Sequence, residues 1–330
     1  MPTSGAPASP ALTARQHLDG GLHFEQAGLS GKAIAAYTAA LSASTTLVEQ
    51  AEARLRLARV YRSTADWDAA VREARDAVRL AEDAGADDLV AEAMNVEVGV
   101  YQLQGDFERG DALAVRGLAR ARAPRVRGIL LQNRGAMAAQ RRNFAEADRL
   151  FGESVAAFRE AGYELGIAIA LNNAAAAARD LGDPARSLEL AREAAERGRR
   201  LGALDVLIMA VQNQAHALAH LGLADEAELL VGEALGHFAS TRNVLRQAEC
   251  LEIMGVLNTF TPEQRETAVR CFALARSMAE RVGARVLAER LAERLRAAGA
   301  ADVTDAPAAS RQAPDRPATR PAERQAEASP

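Results

Sequence analysis

Carboxamides recur at a fixed interval along the middle of this 330-residue chain. Asn133, Asn173 and Asn213 stand 40 residues apart, and each follows a second amide, namely Gln132, Asn172 and Gln212. Asn95 extends the series by one interval toward the N-terminus. An Asn or Gln side chain offers one acceptor oxygen and two N–H donors. It can therefore pair with both the C=O and the N–H of an extended backbone, whatever side chains that backbone carries. That is the chemistry of peptide binding with little dependence on sequence. The same groups can instead cap or bridge neighbouring helices. The residues leave both roles open, and recurrence in three successive units favours contact with a ligand.

Arg56, Arg59 and Arg62 fall three apart, on one face of a helix, where they could take a carboxylate or an acidic side chain. Asp19, Glu25 and Glu92 could equally neutralise them. His216 and His220 are four apart and could share a metal on one helix face, but no HExxH glutamate or third ligand accompanies them. His216 is therefore expected to line a surface beside the amides, with no metal. Cys250 and Cys271 lack CxxC spacing and are expected to be buried thiols. Phosphate-binding, nucleophile-elbow and dinucleotide-binding glycine motifs are missing. No residue is a candidate for catalysis, no cofactor is implied, and the chain is expected not to be an enzyme.

A formal net charge of −4 gives no general attraction for phosphate backbones, so nucleic acid is not an expected partner. No run of ~18 apolar residues suggests a membrane span. Met1 to Pro10 has neither a basic nor an apolar targeting region, so a cytoplasmic location is expected.

Elements that position these residues are helical. Aromatics make up 4% of the chain, and Ala, Leu, Arg and Glu dominate. Turn residues recur at Gly28, Ala65, Gly105, Arg142, Gly182 and Gly222, in steps of 37, 40, 37, 40 and 40. A second series of small residues follows on the same grid: Ala33, Ala70, Gly110, Ala147, Ser187, Ala227 and, one place late, Ala268. Around each turn the apolar residues keep a 3.6-residue period, as in Leu55, Ala58 and Tyr61 before it and Trp67, Ala70, Ala74 and Val78 after it. Each unit is a helical hairpin.

Asp66, Asp106, Asn143 and Asp183 are placed to cap second helices. Asn143 with Glu146, and Thr261 with Gln264, have capping-box spacing. Pro184 and Pro262 suit the first helical position. Gly85, Gly162, Gly202 and Gly283 mark the ends of second helices, with Pro124 in place of a glycine between the third and fourth units. Val286, Leu287, Leu291 and Leu295, in a segment of alternating Glu and Arg, are expected to belong to a capping helix. Hairpins of this size bury their apolar faces only by stacking. Residues 11–298 are thus expected to form one solenoid, with 1–10 and the Ala/Pro/Arg-rich 299–330 disordered.

The small residue at position 8 of each unit, the bulky one at 11 and small ones at 20 and 27 resemble the tetratricopeptide repeat. Gly21, Phe24, Ala33, Tyr37 and Ala40 show it in the first unit, and Ala58, Tyr61, Trp67, Ala70 and Ala77 in the second. The aromatic at position 4 and most prolines near 32 are absent, and the period exceeds 34. Leu171-Asn172-Asn173-Ala174 and Leu181-Gly182-Asp183 are similar to the longer-repeat branch typified by kinesin light chain. The resemblance implies an all-α, right-handed superhelical solenoid of about seven hairpins plus a capping helix. It also implies that positions 5 and 6 of each first helix, which hold the amides, face a concave groove.

Function follows as an expectation: a protein- or peptide-binding scaffold whose groove is lined by Asn95, Gln132, Asn133, Asn172, Asn173, Gln212, Asn213 and His216. The alternative is a peptide-sensing regulator whose superhelix changes on binding and acts on a separate effector.

Overall fold

Local signals set the hairpins before any packing is considered. The computed structural model describes residues 12–259 and 262–299, and among these there is no strand. Helices succeed one another in pairs: α1 (Ala14–Gln26) with α2 (Ser30–Ala43), α3 (Leu47–Ser63) with α4 (Trp67–Asp83), and α5 (Asp87–Gln104) with α6 (Phe107–Arg120). Next come α7 (Pro124–Gln140) with α8 (Phe144–Glu160), α9 (Glu164–Asp180) with α10 (Pro184–Leu201), and α11 (Leu204–His220) with α12 (Ala224–Ser240). The seventh pair is α13 (Val244–Leu257) with α14 (Pro262–Arg281), and α15 (Arg285–Ala297) closes the array. No helix among the described residues is long and apolar enough to cross a membrane. The expectations for 1–10, for 300–330 and for Thr261 as a cap lie outside the described residues.

The first six pairs reverse through one left-handed residue, and it is the one the sequence marks in each: Gly28, Ala65, Gly105, Arg142, Gly182 and Gly222. Ala65 and Arg142 both hold φ at 61°, which costs a residue with a Cβ about 1–2 kcal/mol. Asp66, Asp106, Asn143 and Asp183 then accept the backbone N–H of the third helical residue. The box at Asn143 is only half formed. Glu146 instead gives both carboxylate oxygens to Arg149, at 2.6 and 2.8 Å, because a guanidinium one turn away offers stronger, charge-assisted bonds. Full boxes form at Thr13 with Gln16 and at Thr46 with Glu49.

Second helices end at left-handed Gly85, Gly162, Gly202 and Gly283, as their spacing predicts, and also at Arg242. The joint between α6 and α7 has no such residue. There Asp88 of α5 accepts the N–H groups of Arg122 and Ala123 at 2.7 and 2.8 Å, and Pro124 begins α7. A side chain from the preceding helix satisfies the turn that glycine makes elsewhere.

The series of small residues is buried throughout, from Ala33 to Ala268. It lets second helices approach first ones closely, while rings from the second helix fill the gaps. Tyr37 lies on Gly21, where an added Cβ would sit 2.3 Å from the ring. First helices also pack on one another from α1 through α13, so they form one continuous inner wall. Val286, Leu287, Leu291 and Leu295 all lie in α15, as expected; the three leucines bury against α14, whereas Val286 is 78% exposed, about 100° around the helix from Leu287, and faces the concave side.

Candidate functional site

The inner wall encloses a cavity of about 1140 Å³. It begins at the C-terminal ends of α5 and α7, passes α9 and α11, and is closed by α13 and α15. Gln212, Asn213, His216 and His220 present a stripe of polar groups from α11, and Ala139 and Ala176 leave room beside them.

Contrary to the expectation of an open ladder, the amides pair with one another across helices. Asn133 Nδ2 donates to Asn95 Oδ1 at 2.8 Å, and Asn213 Nδ2 donates to Asn172 Oδ1 and backbone O at 2.9 and 3.1 Å. Asn172 and Gln212 are buried, and Gln212 donates to Glu249 at 3.3 Å. The repeat interval that puts equivalent amides on one wall also puts them within reach of each other. Asn133 and Asn213 each keep a carbonyl oxygen and an N–H that no described residue takes. Gln132 and Asn173 are half-buried and likewise have no partner among the described residues.

At the far end the cavity is cationic. Glu252 of α13 is almost wholly buried and accepts three bonds from two arginines of α15: Arg290 at 2.7 and 2.9 Å and Arg294 at 2.6 Å. One carboxylate thus serves two guanidinium groups that remain half exposed. Arg246 pairs with Glu249 at 2.7 Å and Arg179 with Asp180 at 2.8 Å. Burial, then the charges of Arg179, His220, Arg290 and Arg294, push the His216 pKa well below its ordinary value. The imidazole is neutral at neutral pH. Among the described residues no three His, Cys, Asp or Glu side chains come together as a metal site.

No family model matches the chain, and no curated protein matches it. Solved structures do. A Rap protein complexed with Competence and Sporulation Factor superposes with a TM-score of 0.60 at 14% identity, over 88% of this chain and 76% of that one. A signal-transduction ATPase from Pyrococcus horikoshii with a tetratricopeptide-repeat sensor gives 0.65 at 13%, over 84% and 44%. A tetratricopeptide repeat protein from Parabacteroides merdae gives 0.52 at 13%, over 87% and 98%. The fold is a tetratricopeptide-repeat solenoid.

Within this solenoid the arginines of the second unit are mostly neutralised from its own wall. Arg59 pairs with Glu92 and Arg56 with Glu52 at 3.8 Å, whereas Glu25 instead takes the Tyr37 hydroxyl and Asp19 pairs with Arg15. Arg62 is the exception, with no carboxylate partner among the described residues. Its guanidinium lies over Gly99, 2.4 Å from where a Cβ would be, and burial, then Arg59, lowers its pKa. None of the three arginines lines the large cavity. The cationic end of the solenoid was not anticipated from sequence, where Arg290 and Arg294 merge with the charge-rich surface of a capping helix. A glutamate at 252, between Leu251 and the buried Ile253 in an otherwise apolar run, was the available sign.

Proposed function

We propose that the chain binds an extended peptide, or an extended segment of a partner protein, in the concave cavity of units three to seven. The observation that carries the reading is the cavity itself, about 1140 Å³ of concave space whose wall includes Gln212 and Asn213 of the amide series. That is just above the roughly 300–1,000 Å³ of small-molecule pockets, and so of a size for several peptide residues. First helices ~10 Å apart offer one amide position for about every three residues of an extended chain rising ~3.3 Å per residue. Each net hydrogen bond contributes ~1 kcal/mol, and micromolar binding needs ~8 kcal/mol. The remaining amide groups therefore set register, and side-chain burial supplies most of the affinity. A solenoid of the same fold, the Rap protein, is known in complex with Competence and Sporulation Factor, which supports ligand capture by this architecture.

Replacing Ala176, half-buried on the cavity wall, by Trp fills the cavity without touching an amide pair. Peptides retained by the wild-type chain from a random pool should be lost, with the helical circular-dichroism spectrum unchanged. Full retention by a folded Ala176→Trp variant would show that the cavity is not where peptides bind.

A further inference from the structure

The two ends of the cavity differ in chemistry. Five arginines line it against three carboxylates; Arg179, Arg246, Arg290, Arg294 and all three carboxylates lie toward α9, α13 and α15, one positive charge in excess there, and Arg142 stands alone at the opposite end. The surplus at that end has a specific origin, since Arg290 and Arg294 share the single carboxylate of Glu252. Their side chains are 50% and 38% exposed, and both line the cavity. The opposite end, at α5 through α8, carries Leu103, Phe107 and Phe144, with Arg142 its one cation. Leu103 is 61% exposed.

We propose that the cavity selects its ligand by charge and direction: it takes an amphipathic peptide whose anionic group rests on Arg290 and Arg294 and whose apolar side chain rests on Leu103, Phe107 and Phe144. This rests on the peptide-binding reading above and adds the ligand's class and orientation. A free carboxyl terminus and an Asp or Glu side chain present the same chemistry at the cationic end. Guanidinium groups already holding a carboxylate at 2.6–2.9 Å show the geometry that a second anion would use from the cavity side.

A proton is linked to this capture. His216 stands among the cations Arg179, Arg246, Arg290 and Arg294, with His220 one turn along its own helix. The carboxylates facing the same space are Asp180 of α9 and Glu249 and Glu252 of α13, each already paired. An incoming anion offsets the part of that lowering due to these charges, which is smaller than the part due to burial, so the His216 pKa rises on binding and affinity increases as pH falls.

The test uses the full chain and two octapeptide pools of random sequence. One has free carboxyl termini and includes Asp and Glu; the other lacks both residues and is amidated at its C-terminus. Retained peptides are identified by mass spectrometry and their affinities are measured singly. The anionic pool should be retained preferentially, with apolar residues enriched away from the anionic position. Val286→Glu, at an exposed cavity position one turn before Arg290, should weaken those peptides roughly tenfold, while Val286→Arg should not weaken them. His216→Gln should flatten the pH dependence between 7.5 and 6. Equal retention of both pools, or indifference to Val286→Glu, overturns the charge-selection inference and leaves peptide binding standing. Retention of neither pool overturns both.

Discussion

Two carboxylates point into the helix stack from first helices, Glu97 of α5 and Glu252 of α13, and they are balanced differently. Glu97 accepts from Arg75, at 2.6 and 3.1 Å, and from the Tyr101 hydroxyl at 2.8 Å. Within this pair one negative charge meets one positive; the pair borders a second, smaller cavity of about 470 Å³ lined by residues of α4, α5 and α6, among them Arg79, Arg109 and Arg116. Glu252 meets two guanidinium groups, on the concave side. The first arrangement closes its electrostatics internally, and the hydroxyl completes it. The second leaves a positive charge over. A buried carboxylate alone therefore says nothing about ligands; the count of its partners, and the face they look toward, does.

The comparison breaks most sharply if both α15 arginines are removed. Arg290→Ala with Arg294→Ala leaves Glu252 buried without a counter-charge and should cost about 3–5 kcal/mol in urea unfolding. Arg75→Ala leaves Glu97 its tyrosine, and the expected loss is about 1–3 kcal/mol. Either α15 arginine removed alone should cost about 1 kcal/mol or less, since the other remains in place and both are substantially exposed. A double-mutant cycle would then show coupling of about 2 kcal/mol between Arg290 and Arg294, and additivity would mean that they do not share Glu252.

The smallest effect concerns pH. His216 is depressed in the folded chain, so the unfolded chain binds the proton more readily below pH ~6.5, and stability should decline as pH falls through that range. His216→Gln should remove this part of the decline. Arg75→Ala should leave it intact, because the Glu97 cluster is elsewhere in the stack.

What the sequence made legible was what depends on near neighbours. Turn residues such as Gly28, Ala65 and Arg142, and caps such as Asp66 and Asp183, work over three or four residues, and the fold uses them as their spacing implies. Of the expected groove residues, Gln212, Asn213 and His216 line the large cavity, whereas Asn95, Gln132, Asn133, Asn172 and Asn173 do not. Asn133 and Asn95 are 38 positions apart, and Glu252 and Arg294 are 42 apart. Those partnerships depend on how one repeat settles against the next, which no local pattern encodes. The periodicity that singled out the amides was also the reason they pair among themselves.

Leu103 and Val286 border one cavity although 183 positions of chain separate them. Among the described residues, helix contacts run from each repeat to those beside it, like coils of a spring that communicate through their neighbours. An occupant reaching across the opening would act as a strut joining early coils to the last. It would convert a spring into a closed ring, make the coils melt together instead of from an end, and give the array a mechanical stiffness that its own sequence does not supply.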